Sequence, residues 1–103
     1  MKAQVIKKFG DPSVFELVDM QKPVLKAGHV LIKVNATSVN QIDCKIRSGA
    51  VPLLSPAFPA ILNSDVAGVV ESVAEDVKIF KVGDEVYGCA GGLGATPGAL
   101  AEY

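Results

Sequence analysis

Val39-Asn40-Gln41-Ile42-Asp43-Cys44-Lys45-Ile46-Arg47-Ser48-Gly49 is the stretch around which the rest of the chain is organised. It follows a strand-like run, Val30 to Val39, and its pattern predicts a short helix closed by Gly49. Asn40 and Asp43, three apart, share one face of the first turn, while Ile42 and Ile46, four apart, lie opposite and suit burial. Polar groups at a strand-to-helix junction on an apolar scaffold are where binding chemistry is often placed. On local evidence alone, however, Asn40 reads as a helix cap.

Outward from this stretch the chain reads as short strands punctuated by turns. Lys2 to Lys8 predicts a first strand, stopped by the turn formers Gly10-Asp11-Pro12-Ser13. Val14 to Asp19 alternates apolar and polar residues, as a half-buried strand does. Pro23 to His29 is a loop, and the β-branched run His29 to Ala36 behind Gly28 is the most strand-like segment of the first half. After the helix come a proline-rich loop, Gly49 to Pro59, and a strand over Ala67 to Val73. A turn at Gly83-Asp84 then enters another strand, and Cys89 to Gly98 is a glycine-rich loop. Many short strands, glycine and proline turns and one helix predict a small β-barrel or sandwich. Alternating strands and long helices are missing, so no dinucleotide-binding fold is expected within these residues.

At 103 residues the chain has room for one domain with a modest core. Half of the residues are hydrophobic and the mean hydropathy is +0.36, an excess that fits apolar surface meant to meet another domain or subunit. Ten basic residues against eleven acidic give a net charge of −1, without a basic run, which argues against nucleic acid and anionic membrane as partners. The most apolar window, Ala50 to Leu62, holds three prolines and is too short to span a bilayer. The first residues lack a long apolar core, so no signal peptide is expected. Cys44 and Cys89 form no CxxC pair, which points to a reduced, cytoplasmic setting rather than a disulfide framework.

Five blocks give the reading its specificity. They are Gly28-His29-Val30-Leu31-Ile32-Lys33-Val34, the stretch Ser38 to Gly49, Leu62-Asn63-Ser64-Asp65-Val66-Ala67-Gly68-Val69-Val70, Phe80-Lys81-Val82-Gly83-Asp84-Glu85-Val86-Tyr87-Gly88 and Gly98-Ala99-Leu100-Ala101-Glu102-Tyr103. In this order and spacing the chain resembles the N-terminal, GroES-like catalytic domain of the medium-chain dehydrogenase/reductase superfamily, of the zinc-independent quinone oxidoreductase type. The resemblance implies a mainly β fold with one or two short helices, a GroES-like partly open β-barrel over residues 1–103. Its helix and loops would form one wall of the active-site cleft. The other wall would belong to a following Rossmann domain that binds NADPH, so the chain is expected to be a fragment that stops at Tyr103, inactive by itself, and a homo-oligomer when full length.

The resemblance also implies the site. In zinc-dependent members a cysteine falls at the position of Asn40, and a Gly-His-Glu triplet at Asn63-Ser64-Asp65. Asn40 and Ser64 are poor zinc ligands beside thiolate and imidazole. The structural zinc lobe of the family needs four cysteines after Gly83-Asp84, where this chain has only Cys89. No metal is therefore expected. Without a Lewis acid, alcohol oxidation is disfavoured, and hydride transfer to a quinone or an α,β-unsaturated carbonyl fits better.

Asn40 and Asp43 are the candidate catalytic residues, Asn40 as a cleft-facing donor. Asn40 and Lys45 are candidate cofactor contacts, and Ser64 and Asp65 are candidates for the substrate pocket. Related quinone reductases often carry tyrosines where this chain has Lys45 and near Val51, a departure that leaves the proton donor unassigned. His29 reads as a surface residue and Cys44 as a buried thiol. Gly92-Leu93-Gly94-Ala95-Thr96-Pro97 departs from a dinucleotide fingerprint at Pro97. Alternatives to the quinone reductase are a stand-alone GroES-like binding module, an enoyl-thioester reductase and an alcohol dehydrogenase-like member.

Overall fold

A computed structural model describes residues 1–103. Six strands, one α-helix and two 3-10 turns follow one another as β1 (Lys2–Ile6), β2 (Phe15–Asp19), β3 (Val30–Thr37), α1 (Gln41–Ser48), β4 (Ala60–Ile61), β5 (Asp65–Val73) and β6 (Glu85–Cys89), with the turns at Pro12–Val14 and Pro52–Leu54. The strands form two antiparallel three-stranded sheets, ordered β2-β1-β4 and β3-β5-β6.

The last residues stitch the sheets together. Gln4 N–H donates to the Leu100 carbonyl at 2.8 Å, Glu102 N–H to Lys2 at 3.1 Å, and Val34 N–H of β3 to Glu102 at 2.8 Å. The tail thus lies between β1 and β3, and the two sheets make a partly open barrel of the kind expected, with no full closure.

Two apolar groups fill the interior. Ile6, Ile46, Ala60 and Leu62 form one, under the helix; Ala3, Val5 and Ile61 form the other, under the tail. Register in the second sheet depends on Gly68, where a Cβ would overlap the Lys33 carbonyl of the neighbouring strand.

Local signals fix the helix. Gly49 ends it with φ 82°, and its N–H reaches Ile46 at 3.1 Å while Ala50 N–H reaches Lys45 at 3.0 Å. Arg47 clamps this end to the β1–β2 turn through its Nε to Gly10 O at 3.1 Å, and Gly10 N–H returns to Arg47 O at 3.0 Å.

Four expectations need correction. Val14 belongs to a 3-10 turn rather than to β2, because Asp11 accepts from Ser13 N–H at 2.8 Å and Pro12 supplies a helical φ. The first strand ends at Ile6, not Lys8. Strand β5 begins at Asp65, two residues before the expected Ala67, since Asp65 pairs with Cys89 of β6. On α1, Ile46 is buried as expected, but Asp43 is buried beside it and Cys44 is exposed, against expectation for both. Asp43 and Ile46 are three apart and share a face, so burying Ile46 carries Asp43 inward.

Candidate functional site

The ends of three strands converge on one open cleft. The exit of β3 brings Thr37 and Ser38, the start of β5 brings Asp65, and the end of β6 brings Tyr87 and Cys89, around a volume of about 490 Å³. Helix α1 starts directly beyond Ser38, so Asn40 stands at the rim.

Asp65 is the hub. Its Oδ2 accepts from Asn40 Nδ2 at 2.9 Å and from Ser38 Oγ at 2.9 Å, and Asn40 Nδ2 also lies 3.4 Å from Ser38 Oγ. The Thr37 hydroxyl donates to the Asp65 carbonyl at 2.7 Å, which holds the backbone of the hub as well. The hydrogen bond from Asn40, then that from Ser38, favours the ionised carboxylate and holds Asp65 below the usual carboxylate range.

Asn40 also caps the helix. It forms a reciprocal capping box with Asp43, whose Oδ2 accepts from the Asn40 N–H at 2.7 Å. Asp43 is only 3% exposed, so it fixes the start of the helix from inside. Its Oδ1 is buried without a hydrogen-bond partner, as is Nδ2 of Asn63.

The candidates therefore divide. Asn40, Asp43 and Asp65 are brought into one hydrogen-bonded chain. Ser64 is buried, and its carbonyl accepts from Ala90 N–H at 2.8 Å, so it faces the interior behind the cleft. Lys45 is exposed on the far part of α1, outside the cleft lining. Nowhere do three His, Cys, Asp or Glu side chains converge as a metal site would need.

Ser38 is the residue that sequence reasoning missed. It precedes Asn40 by two on an extended segment, so the two side chains emerge on the same side. That period of two was a usable signal.

The comparisons with known proteins follow this geometry. The family described as "Alcohol dehydrogenase GroES-like domain" matches residues 26–103. A quinone oxidoreductase of Mus musculus is 46% identical over 88 residues, which are 84% of this chain and 26% of that protein. An alcohol dehydrogenase superfamily protein of Novosphingobium aromaticivorans superposes with a TM-score of 0.91 at 38% identity, covering 99% of this chain and 30% of that one. The Escherichia coli quinone oxidoreductase complexed with NADPH gives a TM-score of 0.83 at 30% identity over 90% of this chain and 28% of that one. The chain thus spans between 26% and 30% of the length of these relatives.

Proposed function

Because the chain belongs to the alcohol dehydrogenase GroES-like domain family, we propose that it is the substrate-side domain of an NADPH-dependent quinone oxidoreductase. The reaction joins NADPH, a proton and a quinone, or an α,β-unsaturated carbonyl, to give NADP⁺ and the reduced acceptor. The observation that carries this reading is the hydrogen-bonded cluster of Asn40, Ser38 and Asp65 on the wall of an open cleft of about 490 Å³. Its support is the quinone oxidoreductase identity of the relatives matched over most of this chain.

Catalytic zinc does not fit the residues of this wall. Of the residues lining the cleft only Asp65 and Cys89 are good zinc ligands, fewer than the three a catalytic site needs, and one Asp65 oxygen already accepts two hydrogen bonds. We therefore take the reaction to run without zinc, on an acceptor that receives hydride readily by conjugation.

NADPH, when bound, supplies the hydride. The part of this chain is to shape and orient. Asp43 holds the first turn of α1 from the interior, Asp65 and Ser38 hold the Asn40 amide, and the rim so fixed positions the acceptor. Lys45, exposed on α1, is assigned to a contact with a cofactor phosphate.

The test is NADPH oxidation by the complete gene product with a panel of quinones and enones, before and after treatment with a chelator. Turnover on quinones that survives chelation is expected. Activity confined to alcohols, or abolished by chelation and restored by zinc, would reject the reading.

A further inference from the structure

We infer that the Ser38–Asn40–Asp65 cleft selects its ligand by charge, admitting groups that bring a hydrogen-bond donor or a positive charge and rejecting anions, with Asp65 as the specificity-determining residue and Ser38 as its positioning residue. The inference rests on the reading that this cleft receives the acceptor.

The uncompensated charge on the cleft wall, with its one free carboxylate oxygen, carries it. The Ser38 hydroxyl donates to Asp65 Oδ2, one N–H of the Asn40 amide donates to the same oxygen, and the Thr37 hydroxyl donates to the Asp65 carbonyl. The Asn40 amide directs one N–H to Asp65 Oδ2, and its nitrogen lies 3.4 Å from Ser38 Oγ. The second carboxylate oxygen, Asp65 Oδ1, makes no hydrogen bond to the protein and is the acceptor left over. Asp65 is also the only charged residue lining the cleft, with Ala36, Val66 and Ala67 among its apolar neighbours and no lysine or arginine to offset it. An anion entering meets an uncompensated negative charge, whereas an ammonium or hydroxyl group meets an acceptor held in place by two hydrogen bonds.

The consequence for substrates is specific. Neutral quinones, and those bearing hydroxyl or amino groups, are accepted, while those bearing sulfonate or carboxylate are discriminated against.

The experiment uses three probes of one size, benzylammonium, benzyl alcohol and benzoate, titrated into the full chain while the backbone amides of Ser38, Asp65 and Gly88 are followed by NMR. Benzylammonium should bind at least about tenfold more tightly than benzoate, with benzyl alcohol between them. Asp65→Asn should bring that ratio to about one, as should Ala36→Lys, which places a cation on the exposed wall of the same cleft. The second variant serves if the first does not fold. Benzoate binding as tightly as benzylammonium, or a ratio untouched in both variants, would overturn the inference. Because binding is read without turnover, absence of quinone reduction would strike the proposed function alone, and loss of discrimination in an active enzyme would strike this inference alone.

Discussion

Ser38 and Asn40 converge on one carboxylate oxygen, and this makes Asp65 the most constrained ionisable side chain at the cleft. Both bonds favour the charged form, so Ser38→Ala should raise the Asp65 pKa toward the ordinary carboxylate value, read by NMR of the carboxyl carbon. A folded pKa lowered below that of the unfolded chain contributes stability above the unfolded value, near about 4, and loses it as pH falls through the folded value. The difference in urea midpoint between wild type and Asp65→Asn should therefore be constant at neutral pH and shrink only below about pH 4. A gap that opened or closed near pH 7 would contradict this account. Asn40, Asp43 and Asp65 were legible as site candidates because each is a polar group at an element boundary. Ser38 carried a signal as well, its period of two with Asn40, but the carboxylate on which both converge lies 27 and 25 positions away and was not legible as their partner.

Helix α1 was legible almost to the residue, because its start and stop are local chemistry: Asn40 and Asp43 cap it, and Gly49 ends it. Its apolar face was legible too, in Ile42 and Ile46, but the burial of Asp43 was not. How far Asp43 is carried inward is decided by the packing of Ile46 on Ile6 and Leu62, contacts between residues far apart in sequence. Asp43→Ala leaves the Asn40 N–H without its acceptor and should cost about 1 kcal/mol in urea unfolding. Gly49→Ala should cost about 1 kcal/mol or more by the same measurement, because φ is 82° and a Cβ would press on the Phe9 ring at 3.1 Å. In the second sheet, Gly68→Ala forces β3 and β5 apart at Lys33 and should cost about 1–3 kcal/mol. A stability within a few tenths of wild type in any of these variants would show that the element is held by something else.

Across the whole molecule, the high mean hydropathy of +0.36 finds its expression on the surface rather than in the core. Only 16 of 103 residues are buried, while Val39, Ile79, Val82 and Tyr87 stand exposed. The overall barrel was legible because five short blocks occur in one order, and turn glycines and prolines separate the strands. The tail between β1 and β3 was not, for its hydrogen bonds join residues far apart in sequence. No helix is long and apolar enough to cross a membrane. These features agree with a domain that supplies one wall of a reductase cleft. The most direct test of that claim is to give the complete gene product NADPH labelled with deuterium at the transferable position, together with an α,β-unsaturated ketone and a chelator. The account predicts deuterium on the β-carbon of the saturated product, at the same rate with the chelator as without it. A product without deuterium, or a rate that falls on chelation and returns with zinc, would contradict it.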